Sequence, residues 1–206
     1  MARHTLYILS VMLLAFCFAG CDDDSDGDYY PSLLTDFVTA ETDNKGIVSK
    51  VTFDDGAMYN VTKQSISSEM PDTTLRCLAI YTKEGAVYDF YQLKLVFSDE
   101  ARPADQFKDR SVAPVKMVSQ WKSGKYVNMH LGVMTTGNGK HEYGFSIDSV
   151  VSKTTYVSLL HKRPEGDAES YTQDVYMSLP LTLETDSVCL SVNTYDGLVS
   201  REYNIE

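Results

Sequence analysis

The chain has 206 residues, of which 43% are hydrophobic, so it is long enough and apolar enough to build a packed core. Its 29 acidic and 18 basic side chains give a formal net charge of -11, which argues against nucleic-acid binding because a phosphate backbone is captured by a cationic surface. Four cysteines are too few for a disulfide scaffold.

Residues 1–20 predict a cleaved lipoprotein signal peptide. A short basic head precedes an apolar run over residues 6–18, and small residues then lead to Cys21. As a helix this run covers about 20 Å, which is less than a hydrocarbon layer of roughly 30 Å. The ending resembles a bacterial lipobox, in which Cys21 carries the lipid. The alternative is an ordinary secretory signal whose Cys21 later forms a disulfide.

Residues 21–32 are predicted to form an acidic tether. Five aspartates fall within residues 22–28, and such a run stays extended and solvated. It resembles the acidic export signal of surface-displayed lipoproteins, which implies an outer-membrane lipoprotein facing the cell exterior. The alternative is a calcium loop, because three alternate aspartates followed by Gly27 match its first half. Its twelfth position is Leu33 instead of the required Glu, so the tether is favoured.

Residues 33–100 are predicted to form a small five-stranded barrel of the OB type. Apolar and β-branched runs alternate with turns that contain glycine. Five strands in about 70 residues are too few for a sandwich but fit a small closed barrel. The predicted strands cover residues 36–42, 47–53, 57–62, 75–82 and 86–97.

Residues 115–206, after a linker at 101–114 that contains proline, are predicted to form an antiparallel β-sandwich. Apolar and polar residues alternate cleanly along residues 127–133, and several later runs repeat this pattern. Six or seven such strands favour a sandwich. Pro180 lies inside one of these runs, so it puts that strand at an edge or ends it early. The fold class is therefore all-β.

Several features together resemble the NigD-like lipoproteins of gut and oral anaerobes. They are the lipobox with its acidic tail, the OB-like segment, the linker, and the opening of the second domain at Trp121 and Tyr126-Val127-Asn128. The resemblance covers nearly the whole mature chain. It implies an N-terminal OB domain, a C-terminal β-sandwich and a lipid-anchored envelope location, and for the founding member an origin beside a bacteriocin gene. It implies no established catalytic residue.

The motifs of common enzymes are absent, including the nucleophile elbow, the Walker loop and the H-E-x-x-H helix, so no catalysis, cofactor or metal is predicted. His130, His141 and His161 lie on three predicted segments, and a zinc site would need the sheets to bring them together. Each is interpreted as an ordinary histidine. Cys77 and Cys189 form either a bridge between the domains or two separate small hydrophobes, and the second is favoured.

Aromatic and basic residues around one predicted hairpin form a candidate ligand patch, made of Trp121, Lys122, Lys125 and Tyr126. Aromatic rings of this kind contact peptides or oligosaccharides at little entropic cost. The other interpretation, which is favoured, is that Trp121 and Tyr126 pack at the corner of the sandwich, with the lysines keeping its edge soluble.

Two further hypotheses concern the first domain. Tyr59, Tyr81 and Tyr88 on its strand faces are candidates for contact with an oligosaccharide. The pair Asp72-Thr73 resembles the O-glycosylation sites of the same anaerobes, which makes Thr73 a candidate for modification.

We therefore expect a lipid-anchored envelope protein that binds or interacts with a partner and has no catalytic site. The alternatives are an immunity or protective lipoprotein against a bacteriocin-like peptide and an accessory glycan-binding lipoprotein. The expected partners are the membrane, through the lipid, and a peptide or oligosaccharide, but not nucleic acid. The oligomeric state is left open.

Overall fold

The computed structural model describes residues 32–61 and 69–205, and they form an all-β structure. Cys21, residues 22–31 of the tether and the aspartates and Gly27 of the alternative calcium loop lie outside the described residues. Residues 33–206 form one compact unit. The predicted fold class, an OB-like barrel followed by a β-sandwich, is confirmed. No helix among the described residues has the length and apolar character needed to span a bilayer.

The first body is a five-stranded sheet in the order β3-β2-β1-β4-β5. Its strands are β1 (Leu34–Thr42), β2 (Val48–Phe53), β3 (Met58–Asn60), β4 (Thr74–Glu84) and β5 (Val87–Leu95). Bulges at Ser49 of β2 and at Tyr91 of β5, the residues skipped in the pairing with β1 and β4, increase the twist, which helps the sheet to curl. The two edge strands approach each other through their side chains, since the rings of Tyr59 and Tyr88 lie 3.9 Å apart between centroids.

The second body packs two sheets face to face. One has the order β14-β13-β11-β10-β7 and the other β6-β12-β9-β8. The strands are β6 (Phe97–Ser98), β7 (Arg102–Pro103), β8 (Lys116–Ser123), β9 (Tyr126–Thr135), β10 (Glu142–Val151), β11 (Thr154–Lys162), β12 (Tyr171–Pro180), β13 (Ser187–Thr194) and β14 (Gly197–Asn204). Four of the neighbouring pairs are antiparallel, whereas β11 runs parallel to β13 and the short strands β6 and β7 run parallel to their neighbours.

The core of the sandwich is made by the apolar residues that alternate along its strands. Val127, Met129, Leu131 and Val133 of β9 are each at most 1% exposed. Burial of such side chains is worth about 1.5–3 kcal/mol each, so this stripe fixes the register of the sheet. Pro180 is the last residue of β12, so the proline ends its strand, as one of the two predicted outcomes requires.

The predicted domain limits stay a prediction, but two short strands bear on them. β6 pairs in parallel with β12, and Phe97 packs against the core of the sandwich. β7, inside the predicted linker, pairs in parallel with β10. The segment that follows the barrel is therefore part of the sandwich sheets.

Candidate binding cleft

The barrel and the sandwich meet where the turn between β8 and β9 reaches the turn after β2. Gly124 has φ +51°, and a Cβ at this position would lie 2.2 Å from the carbonyl oxygen of Asp54. A distance this short is a steric clash with backbone, so no other residue fits without displacing one of the turns. The β8–β9 hairpin of the sandwich is thus in direct contact with the barrel.

A buried polar cluster joins the two bodies beside this contact. The guanidinium of Arg76, on β4, donates to both carboxylate oxygens of Asp54 at 2.6 and 2.8 Å. It also donates to Asn128 Oδ1 at 3.0 Å and to Ser178 Oγ at 3.1 Å, both on sandwich strands. The side chains of Arg76 and Asp54 are only 4% and 8% exposed. A bidentate pair with further hydrogen bonds has a defined geometry, so this cluster fixes how the bodies are oriented.

Two more hydrogen bonds complete the cluster. Ser178 Oγ donates to Asn128 Oδ1 at 2.6 Å, and Asn128 Nδ2 donates to Asp54 Oδ2 at 3.0 Å. Tyr126 covers the guanidinium from one side, with the Arg76 carbon Cζ 3.7 Å from its ring centroid. The charged pair is therefore enclosed by polar partners and an aromatic face, which is the environment that a buried ion pair needs.

A cleft of about 340 Å³ opens next to this cluster, between the barrel and the edge of the sheet that contains β8. Its aromatic lining residues are Trp121, Phe37, Phe53 and Tyr176. The rings of Trp121 and Phe37 meet edge to face at 5.5 Å, yet Trp121 stays 38% exposed. We call this site the Trp121 cleft. Its volume lies at the lower end of the range of about 300–1,000 Å³ that is usual for ligand pockets.

The carboxylates of the Trp121 cleft give its lining a negative charge. Asp36, Asp54 and Asp55 line it, and its described lining contains no lysine or arginine. Asp36 Oδ2 accepts a hydrogen bond from Tyr81 at 2.8 Å, and burial together with this bond raises the pKa of Tyr81. Asp55 Oδ1 accepts the backbone N–H of Ala57 at 2.8 Å. Both Asp36 and Asp55 are solvent-exposed, so they present negative charge at the rim.

His130 and Tyr176 form another wall of the cleft. Their rings stack at 4.4 Å, and His130 Nε2 lies 2.8 Å from Asp174 Oδ1. The ammonium of Lys94 lies 5.7 Å from the centre of the Tyr176 ring. One cation and one further carboxylate thus lie near this wall without lining the cleft.

The predicted ligand patch is divided by the structure. Trp121 lines the Trp121 cleft, whereas Lys125 and Tyr126 line a second concavity of about 560 Å³. Lys122 follows Trp121 on β8 and therefore points to the opposite face of the strand. Both aromatic residues also pack against the barrel, because Phe37 contacts Trp121 and Arg76 contacts Tyr126. Ligand binding by the patch stays a prediction.

Sequence reasoning missed the polar cluster and the cleft. The available signal was Arg76, the single charged residue in the otherwise apolar run Leu75–Tyr81. A charge in such a run needs a partner, but nothing in the sequence identifies Asp54, Asn128 and Ser178 as that partner set. They come from three remote segments.

The three tyrosines predicted to contact an oligosaccharide pack largely against other residues of the barrel. Tyr81 is 5% exposed, and Tyr59 and Tyr88 pack with Phe53 in one aromatic cluster. Burial of Tyr81 removes it as an accessible contact. Tyr59 and Tyr88 are half-buried.

Two of the three histidines do meet. His141 Nδ1 and His161 Nε2 are 2.8 Å apart, and His141 Nε2 lies 3.1 Å from Asp167 Oδ2. Burial lowers the pKa of His161 to about 4, and its Nδ1 lies 3.0 Å from the carbonyl oxygen of Ala113. Within residues 32–61 and 69–205, no group of three or more His, Cys, Asp or Glu residues is arranged to hold a metal ion.

The remaining candidates lie apart from the cleft. Cys77 and Cys189 are both free thiols, with Cys77 buried and Cys189 half-buried. Thr73 is half-buried just before β4, and its backbone N–H donates to Thr42 Oγ1 at 3.0 Å. Its modification stays a prediction.

The sequence matches no protein-family model and no curated protein. The structure is similar to the crystal structure of a NigD-like immunity protein from Bacteroides caccae, with 25% identity, a TM-score of 0.67 and coverage of 86% of this chain and 100% of that chain. The predicted resemblance to NigD-like proteins is confirmed.

Two other solved structures are similar to this chain in fold at lower identity. A putative toxin-related protein from Parabacteroides distasonis is 13% identical, with a TM-score of 0.63 and coverage of 85% of this chain and 95% of that chain. A protein of unknown function from Bacteroides vulgatus is 14% identical, with a TM-score of 0.63 and coverage of 84% and 90%.

Proposed function

We propose that this protein is a lipid-anchored envelope protein that binds its ligand in the Trp121 cleft. The observation that carries the proposal is the cleft itself, in which an exposed tryptophan and further aromatic rings line the junction of two bodies beside a few polar groups. Binding sites commonly combine an aromatic lining with a small number of oriented polar groups at such a junction.

The frame of the cleft is pre-organised. The hydrogen bonds from Arg76 to Asn128 and Ser178 join the two bodies beside it, and so does the close contact between Gly124 and Asp54. A ligand therefore does not have to order the walls when it binds, and less of its binding energy is lost to entropy.

The proposed anchor is a lipid on Cys21, which holds the protein in the outer membrane with the folded unit facing the cell exterior. One acyl chain gives only marginal membrane binding, whereas two or more give stable anchoring at about 0.8 kcal/mol for each buried CH₂ group. The acidic tether would hold the folded unit away from the anionic surface of the membrane.

Within this role, an immunity or protective function against a bacteriocin-like peptide is favoured over glycan binding. The support is the similarity to the NigD-like immunity protein of Bacteroides caccae, which is 25% identical over 86% of this chain. The protein would protect its cell by holding the peptide at the envelope. A glycan-binding function would instead give measurable affinity for oligosaccharides.

The test combines anchoring with protection in the native host. Cells fed an alkyne-labelled fatty acid should incorporate label into the wild-type protein but not into a Cys21→Ser variant. A deletion strain challenged with antagonistic culture supernatants of related strains should become more sensitive, and wild-type protein should restore resistance. If the wild type takes up no label, the anchor is refuted. If the deletion strain is as resistant as its parent, the immunity role is refuted.

A further inference from the structure

The chemistry of the Trp121 cleft points to one class of ligand. Resting on the proposed function, we infer that the cleft binds a lysine or arginine side chain of a cationic polypeptide. A site for such a side chain requires three properties together: excess negative charge, an accessible aromatic face and a concave shape of suitable size. Each is present in the same site.

The excess negative charge comes from Asp36 and Asp55. Asp54 is already compensated, because both of its carboxylate oxygens accept hydrogen bonds from Arg76. Asp36 and Asp55 each use one carboxylate oxygen in an internal hydrogen bond and are solvent-exposed. Opposite charge at the rim attracts a cation, and the wider chain adds to this attraction with its net charge of -11.

The aromatic wall of the cleft complements the aliphatic stem of a lysine or arginine side chain. The aliphatic stem of lysine or arginine packs on apolar surface while its charged head remains near polar groups. Tryptophan is the aromatic residue that binds cations best. Trp121 is 38% exposed and is therefore accessible to such a cation. In this arrangement the stem lies along Trp121 and Phe37, and the head lies between Asp36 and Asp55.

The same charges disfavour the competing ligands. An acidic peptide or a nucleic acid would meet like charge at the rim. A neutral oligosaccharide would use the aromatic wall and hydrogen bonds but would gain nothing from the net charge. Binding should therefore depend on salt if the ligand is cationic and should be nearly independent of salt if it is a sugar.

The chain supplies its own reporter, because Trp121 is its single tryptophan. Intrinsic fluorescence of the purified lipoprotein in neutral detergent can be titrated with a capped octapeptide of alternating Lys and Ser. The comparison ligands are peptides with Gln or Glu in place of Lys and the neutral sugar maltohexaose. We expect the lysine peptide to bind at least about tenfold more tightly than the glutamine peptide, and tenfold or more to be lost between 50 and 500 mM NaCl.

A double variant, Asp36→Asn and Asp55→Asn, should bind the lysine peptide about tenfold or more weakly than the wild type. The control variant Glu165→Gln should bind the peptide with the affinity of the wild type. Asparagine retains an oxygen that accepts the hydrogen bonds of Tyr81 and Ala57, so the fold is preserved, and circular dichroism verifies this. Equal affinity for the Lys and Gln peptides, or for the double variant and the wild type, would overturn the inference.

The failures of the two proposals are distinguishable. A response of Trp121 to maltohexaose but not to the lysine peptide would refute the cationic ligand and keep the cleft as a binding site. If no probe perturbs Trp121, the cationic ligand is refuted. The proposed function then fails as well only if a Trp121→Ala strain is as well protected as the wild type.

Discussion

Gly124 is the residue on which the junction of the two bodies depends most sharply. Its φ of +51° and the 2.2 Å approach of the Asp54 carbonyl oxygen are two separate costs for any side chain. Gly85 offers the matched control, because its φ is +61° and nothing lies within 4 Å of its Cβ position. Comparison of the two glycines separates backbone strain from steric conflict at the junction.

We expect Gly85→Ala to lower the free energy of unfolding by about 1 kcal/mol, which is the cost of the left-handed backbone. Gly124→Ala should lower it by about 1–3 kcal/mol more, because the methyl group displaces the Asp54 turn. Urea unfolding followed by circular dichroism measures both. Equal losses for the two variants would show that the turns do not touch.

The ion pair of Arg76 and Asp54 is a second feature on which the stability of the junction depends. Asp54→Ala leaves a guanidinium that is 4% exposed without its carboxylate, so we expect a loss of about 3–5 kcal/mol in the free energy of unfolding. Replacement of both residues, with Arg76→Met and Asp54→Leu, should cost less than Asp54→Ala alone because no charge is left buried. The same urea titration tests this, and a double variant less stable than Asp54→Ala would contradict it.

The contact between His141 and His161 joins two strands, because His141 directly precedes β10 and His161 lies near the end of β11. Asp167, in the following loop, accepts hydrogen bonds from the hydroxyl and the backbone N–H of Thr136 at 2.6 and 2.7 Å. These bonds lower the pKa of Asp167 to about 2. The pKa values of His161 and Asp167, about 4 and about 2, therefore place their responses to acid in different pH ranges.

The pKa of His161 is lowered to about 4 by burial, so the folded state holds this ring neutral. Its ordinary pKa of about 6.5 in the unfolded chain means that the stabilisation is complete above pH 6.5 and is lost as the pH falls towards 4. We expect the free energy of unfolding of the wild type to fall by about 1–2 kcal/mol more between pH 7 and pH 5 than that of a His161→Phe variant.

Urea titrations at the two pH values check this prediction. Asp167 does not contribute over this range, because its carboxylate is ionised in both states well above pH 4. Identical pH dependence in the wild type and in His161→Phe would contradict the neutral, buried state of His161.

The strands with clean alternation were predictable from the sequence, and the irregular ones were not. Residues 127–133 alternate strictly, and β9 covers them as expected. β6 and β7 have two residues each, which is too short for any periodicity, so their pairing with β12 and β10 depends on the packed sandwich. Trp121 was identified as a candidate, but its partner Phe37 lies 84 positions earlier, and no local pattern links them.

For the whole molecule, the proposed function depends on two bodies that are held in one fixed arrangement. The Trp121 cleft exists only because the barrel supplies Phe37 and the acidic rim while the sandwich supplies Trp121 and Tyr176. Neither body contains the site alone. A single tryptophan in the wall of the cleft also makes the site unusually easy to follow in solution.

The most direct test of this account is protection of cells by a Trp121→Ala variant. Tyr156→Ala is the matched control, because Tyr156 is 40% exposed on another sheet and does not line the cleft. In a deletion strain that makes equal amounts of each lipidated protein, we expect the Tyr156→Ala variant to protect as well as the wild type and the Trp121→Ala variant to lose most protection. Full protection by a folded Trp121→Ala protein would contradict the account.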